Sequence, residues 1–232
     1  MYKNLAIIPA RGGSKRIPRK NIKEFLGKPI IAYSIEVALT SGLFDEVMVS
    51  TDDEVIADIA KQYGAKVPFL RNPDTANDYS TTMDVLNEVI LDYKNKLNID
   101  FKYVCCIYAT APLILTEHLI QGYELLTDLN YHSVYPIVSF GYPVWRGFRI
   151  NEAGKTEMVW KEFIHTRSQD LEPIYHDAGQ WYWYKTTEIE NTLFTDNSAS
   201  IILNELDVQD IDSATDWKLA ELKYELRLQS SK

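Results

Sequence analysis

The segment from Ala10 to Ile22 reads Ala-Arg-Gly-Gly-Ser-Lys-Arg-Ile-Pro-Arg-Lys-Asn-Ile, and its residue types suit the holding of a polyanion. Gly12 and Gly13 let backbone N–H groups turn inward toward an anion, since a residue without Cβ reaches conformations closed to others. Arg11, Lys15 and Lys20 can neutralise a triphosphate, and an arginine grips two oxygens at once. The pattern is neither GxGxxG nor GxxxxGK[ST], which disfavours dinucleotide binding and ordinary ATPase chemistry. Near the other end of the chain, Asp210 and Asp212 flank Ile211. In an extended segment alternate side chains project to one side. Two carboxylates beside a triphosphate suit Mg²⁺, which takes oxygen ligands and keeps waters and phosphate oxygens around it. The same acidic pair could instead complement the dipole of a following helix. His118, His132, His165 and His176 show no metal-ligand spacing, and no serine–histidine nucleophile arrangement is present.

These groups sit in a chain of 232 residues, a length that suits one domain, and a hydrophobic fraction of 46% is enough for a sizeable core. The net charge of −9 argues against nucleic acid as a main partner. Yet between Arg11 and Lys28 the cations Arg11, Lys15, Arg16, Arg19, Lys20, Lys23 and Lys28 are opposed by Glu24 alone. No apolar run of about 18 residues occurs, so no membrane span is expected. The apolar stretch at the N-terminus is too short for a signal peptide. Cys105 and Cys106 are adjacent; neighbours in a strand point to opposite faces, so they read as two buried thiols of a cytoplasmic protein.

The elements that must position the loop and the carboxylates follow from periodicity. Asn4–Pro9 reads as a first strand, Ile30–Thr40 as a helix opened by Pro29, and Glu46–Ser50 as a second strand. Glu54–Tyr63 reads as helix stopped by Gly64, and Ala65–Leu70 as a third short strand. Ser80–Leu97 is amphipathic, with Met83, Leu86, Ile90, Tyr93 and Leu97 on one stripe. Lys102–Tyr108 is nearly all apolar, as in a strand covered on both faces. Helix Thr116–Leu126, strands His132–Val138, Gln180–Lys185 and Ser200–Asn204, and a closing helix Ser213–Leu228 complete the alternation, Ser213 and Asp216 having capping-box spacing. Residues 139–175, aromatic and punctuated by Pro and Gly, read as a hairpin-like excursion. The prediction is a single domain over 1–232: a three-layer α/β/α sandwich around a mostly parallel sheet, with ligands beyond the carboxyl ends of the strands.

The string PARGGSKRIPRKN resembles the signature of the CMP-sugar synthetases, especially those for sialic-acid-like nonulosonic acids. Ser50-Thr51-Asp52-Asp53, Ser80-Thr81-Thr82-Met83-Asp84-Val85, Tyr108-Ala109-Thr110-Ala111-Pro112-Leu113 and Tyr175-His176-Asp177-Ala178-Gly179 extend the likeness along most of the chain. The resemblance implies a Rossmann-like sheet of the nucleotide-diphospho-sugar transferase type and CMP transfer from CTP to an acidic nine-carbon sugar. It implies Arg11, Lys15 and Lys20 as catalytic cations. Arg11, Gly12, Gly13, Ser14, Lys15, Lys20, Asn21, Ser80 and Thr82 would hold the nucleotide. Tyr108, Thr110, Arg167, Tyr175, His176 and Asp177 would hold the sugar, and Asp210 and Asp212 would bind Mg²⁺. It further implies a homodimer with the 139–175 excursion reaching across. Two departures stand out: Tyr108 where the family has glutamine, and Asp177 where it has asparagine. Together with YATAP, TRSQDL and YHDAGQWYW they resemble the pseudaminic acid cytidylyltransferases. Activity on N-acetylneuraminic or legionaminic acid, or a non-catalytic nucleotide-sugar binding role, are the rival readings. Tyr175, Trp181, Tyr182 and Trp183 fit either a sugar-pocket lining or a core strand.

Overall fold

The computed structural model describes residues 3–77 and 79–230. In chain order the elements are β1 (Asn4–Pro9), β2 (Glu24–Phe25), β3 (Lys28–Pro29), α1 (Ile30–Thr40), β4 (Glu46–Ser50), α2 (Glu54–Gln62) and α3 (Thr82–Leu97). They continue with β5 (Tyr103–Ile107), α4 (Thr116–Asp128), β6 (Ser133–Ser139), β7 (Phe148–Ile150) and β8 (Thr156–Met158). β9 (Tyr175–Asp177), β10 (Trp181–Lys185), β11 (Ser198–Ile202) and α5 (Ala214–Ser230) close the chain. The main sheet runs β11-β6-β10-β5-β1-β4, with β9 also paired to β6. β1 is parallel to β4 and β5, and β11 is parallel to β6. β10 is antiparallel to both of its neighbours, and β9 is antiparallel to β6. The sheet is therefore mostly parallel, as expected, with one reversed line of chain through it. No helix among the described residues is long and apolar enough to cross a membrane.

Strand alternation sorts the core into two faces. Ala6, Ile8, Val47, Val49, Cys105, Ile107, Trp181 and Trp183 pack with Ile31 and Ile35 of α1, Ile56 of α2 and Leu119 of α4. Leu5, Ile7, Met48, Val104, Cys106, Tyr182 and Tyr184 face Met83, Leu86 and Tyr93 of α3. Cys105 and Cys106 thus point to opposite layers as free, fully buried thiols, and burial pushes both up from their ordinary pKa. Trp181, Tyr182 and Trp183 are core, which decides between the two sequence readings for these aromatics.

Most boundaries differ from the sequence expectation by one or two residues, β11 beginning at Ser198 and ending at Ile202, and three differences have a local physical reason. Residues 65–70 form no strand: Lys66 makes a single bridge to Met48, and Pro68, having no N–H, cannot extend the ladder. α3 starts at Thr82 rather than Ser80, because Thr81 and Asp84 form a capping box at its N-terminus. α5 starts after Ser213, whose hydroxyl accepts from the Asp216 N–H at 3.3 Å while Asp216 Oδ2 accepts from the Ser213 N–H at 2.7 Å. The excursion carries β7 and β8, paired apart from the main sheet, and ring contacts of Trp145 with Trp160 and Phe163.

Gly122, in the middle of α4, lets that helix lie directly on β10. A Cβ there would come within 2.5 Å of the Trp181 ring and 3.1 Å of Trp183. In an exposed helix Gly→Ala is stabilising by roughly 1 kcal/mol. Here the packing reverses the sign: Gly122→Ala should destabilise by about 1–3 kcal/mol, read as a lower urea midpoint at unchanged slope.

Candidate active site

β1 ends at Pro9, and the basic loop leaves the sheet at its carboxyl edge. Ala10 N–H bonds the Ser50 carbonyl at 2.9 Å, fixing where the loop begins. Gly12 N–H donates to Asp52 Oδ1 at 3.0 Å. A side chain at Gly12 would place Cβ 2.7 Å from Asp53 Oδ2, so close approach requires glycine there. Asp53 caps α2 by accepting from Ile56 N–H, and holds Arg19 through two contacts of 2.8 and 3.1 Å. Slight burial raises the Asp53 carboxyl, but the Ile56 N–H and the Arg19 guanidinium outweigh it and keep it below its usual range. Arg19 itself sits in the left-handed region at φ 54°, stabilised by that grip. Asn21 Nδ2 donates to the Arg11 carbonyl at 2.9 Å, stapling the loop to itself.

The loop bounds a cavity of about 450 Å³. It is lined by the cations Arg11, Lys15, Arg16 and Lys20 with Ser14, and by Ser80, Thr82, Tyr108 and Thr110. Asn21 lines it as well. The Tyr108 hydroxyl lies 3.3 Å from Thr82 Oγ1 and its ring 5.3 Å from that of Tyr182. Burial pushes the Tyr108 phenol up, so it stays neutral.

Sequence reasoning missed Arg71, which lines the cavity although only 7% exposed. Its Nε donates to Ser50 Oγ at 3.0 Å and its Nη2 to the Ser50 carbonyl at 2.5 Å. Burial lowers its pKa from the ordinary arginine value, with Asp52 and Glu88 opposing. Nothing in the Arg71-Asn72-Pro73 string distinguishes it from a surface cation.

An acidic segment from the far end of the chain meets the basic loop. Ile211 is buried among Ile17, Phe25, Ile30, Tyr33, Trp217 and Ala220. That apolar plug holds Asp210 and Asp212 against the basic loop. Lys20 Nζ donates to the Ile211 carbonyl at 2.6 Å across 191 positions of sequence. Arg16 lies 2.6 Å from Asp212 Oδ2, and Lys20 is 3.6 Å from Oδ1. Both aspartates line a second cavity of about 410 Å³ with Ser139, His176, Glu205 and Lys223. Desolvation and then the like charge of Asp212 push the Asp210 carboxyl up. Two crowded carboxylates of this kind are relieved by a cation. No cluster of three or more His, Cys, Asp or Glu side chains that could hold a metal occurs among the described residues. The two aspartates alone would leave the remaining ligands of a divalent cation to water and phosphate oxygens.

The remaining sugar candidates are spread out. Arg167 is exposed on the excursion in a two-contact pair with Asp170, 2.7 and 3.2 Å, and is not among the residues described around either cavity. Tyr175 pairs with Ser139 in the sheet. His176 lines the second cavity, its ring 4.8 Å from Phe140. Asp177 accepts from the buried Tyr182 hydroxyl at 2.5 Å and from Gly179 N–H at 3.0 Å, so its carboxylate is engaged inward.

A basic glycine loop at the carboxyl ends of parallel strands thus faces two carboxylates. The cytidylyltransferase family model matches residues 5–182. The chain is 45% identical over 233 residues to the pseudaminic acid cytidylyltransferase of Campylobacter jejuni, covering 99% of both. It is 36% identical to the CMP-N,N'-diacetyllegionaminic acid synthase of Legionella pneumophila, covering 96% of both. The fold matches a CMP:2-keto-3-deoxy-manno-octonic acid synthetase complexed with CTP, with TM-score 0.68, 17% identity, and coverage of 98% of this chain and 99% of that one. This chain belongs to the cytidylyltransferase family.

Arg71→Met should weaken CTP binding at least tenfold in calorimetry, the cost of losing a charge-assisted donor in a desolvated wall. Unchanged affinity would remove Arg71 from the nucleotide site.

Proposed function

We propose that this enzyme transfers CMP from CTP to the anomeric hydroxyl of a nonulosonic acid, with pseudaminic acid as the substrate, and releases pyrophosphate. The observation that carries the reading is the meeting of the cationic loop and the Asp210–Asp212 segment over one site. The sugar rests on the likeness to the Campylobacter enzyme over the whole chain, together with Tyr108 and Asp177, which replace the family's amides.

In the reaction the sugar hydroxyl attacks the α-phosphorus in line and pyrophosphate leaves. Arg11, Lys15 and Lys20 meet the charge on the transferring and leaving phosphates. Because that charge grows toward the transition state, fixed cations lower the barrier without moving. Gly12, Gly13 and Ser14 present the loop backbone to the phosphates, with Asn21 bracing its shape. Ser80 and Thr82 at the start of α3 hold the nucleoside, and Tyr108 and Thr110 stand beside it toward the sugar. Asp210 and Asp212 would hold Mg²⁺, which when bound neutralises phosphate charge. His176 shares the second cavity with those carboxylates, which supports a role toward the sugar.

Arg167 is our candidate for the sugar carboxylate, delivered by a homodimer in which the 139–175 excursion reaches across to the partner. Tyr142, Phe148, Ile150 and Ile164 are exposed apolar side chains on that excursion, the composition of an interface core. The free buried thiols agree with a cytoplasmic location.

Pyrophosphate release with CTP should be fastest with pseudaminic acid in a panel including N-acetylneuraminic and legionaminic acids. A faster rate with N-acetylneuraminic acid would refute the sugar assignment. EDTA should abolish turnover and Mg²⁺ restore it, and Arg11→Ala should lower the rate on the order of 10²-fold. Light scattering should give twice the monomer mass, and Phe148→Asp should halve it. A wild-type monomer would exclude the proposed delivery of Arg167.

A further inference from the structure

Arg16 belongs to both halves of the site. It lines the basic cavity, yet its guanidinium is paired with Asp212, which lines the acidic one. Lys20 faces the other oxygen of the same carboxylate. Both oxygens of one carboxylate assigned to the divalent cation are therefore met by protein cations. The two cations differ in how they are held. Lys20 is 19% exposed and anchored on the Ile211 carbonyl at 2.6 Å. The Arg16 side chain is 70% exposed.

An exposed ion pair of this kind is weak in water. A triphosphate offers a guanidinium several charge-assisted bonds at once, two of them in parallel. Arg16 already borders the cavity where the phosphates would lie, so changing partner requires movement of the side chain and not of the backbone. Asp212, released, would then stand beside Asp210 with only Lys20 on its far oxygen. The neighbouring cation Arg19 is not equivalent, because Asp53 grips it from two atoms on the other side of the loop.

We propose that Arg16 is a triphosphate ligand that caps Asp212 until the nucleotide arrives, so that the Asp210–Asp212 pair opens to a divalent cation with CTP in place. The proposal rests on reading the basic cavity as the CTP site and the aspartates as the metal site. Its consequence is coupling: nucleotide tightens metal and metal tightens nucleotide by the same factor.

The test is a titration of Mn²⁺ followed by its paramagnetic resonance signal. It is run on the free enzyme and on the enzyme with a CTP analogue whose α,β-bridging oxygen is a methylene group. Without nucleotide, Arg16→Gln should bind Mn²⁺ about two- to fivefold tighter than wild type, the range for loss of one exposed pair. The analogue should raise Mn²⁺ affinity less in this variant than in wild type. Lys28→Gln, which removes one positive charge from the same basic segment but lines neither cavity, should leave Mn²⁺ affinity unchanged. Equal affinity of wild type and Arg16→Gln, or equal tightening by both variants, would overturn the role of Arg16. Should wild type bind no Mn²⁺ even with the analogue, the metal reading falls and this inference with it. Tight binding with the analogue but no effect of Arg16 would sink the inference alone.

Discussion

The site depends on one electrostatic constraint: a loop crowded with cations must stay concave and open while no anion is bound. Like charges this close repel, and a solvated basic loop would spread. Here the loop is pinned by oxygen acceptors from elsewhere, the Ser50 carbonyl at Ala10 and the Asn77 carbonyl at Arg11 among them. Asp52 takes the Gly12 N–H, Asp53 takes Arg19, and the Ile211–Asp212 segment takes Lys20 and Arg16. The pins are spread from Gly12 to Lys20, so the loop keeps its curvature while Arg11, Lys15, Arg16 and Lys20 border the cavity. The acidic balance of the chain, −9 overall, is thus partly a scaffold for its most basic segment.

What holds the pins is apolar. Ile211 and Trp217 from the C-terminal end pack with Ile17 and Phe25 from the loop and with Ile30 and Tyr33 of α1. Phe25, Tyr33 and Trp217 meet edge to face at 5.3 and 5.7 Å, and the Tyr33 hydroxyl caps the Phe25 carbonyl at 2.8 Å. Charged groups on the rim are weakly directional in water, whereas burial of these side chains fixes the distance between the two walls. Chemistry and stability are therefore divided between the two sides of a single short segment, Asp210-Ile211-Asp212.

The reversed line of β9 and β10 has a second consequence. It runs from the excursion into the middle of the sheet, placing Asp177 and Tyr182 behind Tyr108. The residues read as sugar contacts consequently fall into two groups. Tyr108 and Thr110 face the basic cavity and His176 the acidic one, while Asp177 is turned toward Tyr182 and Arg167 stands away on the excursion.

Much of this was legible in the sequence. Pro9 ending a strand, the paired glycines among cations, and the alternation of apolar runs with amphipathic stretches are local patterns, and local sterics and burial periodicity enforce them. Those patterns determined the layered α/β class and the place of the basic loop, and the resemblance of its motif strings gave the family. Tertiary structure alone decided which distant segments meet. It buried Arg71 against Ser50, reversed β10 between parallel neighbours, engaged Asp177 with the Tyr182 hydroxyl, and set Arg16 on Asp212. Strand order and the burial of a charge depend on neighbours far along the chain, and no short-range periodicity encodes them.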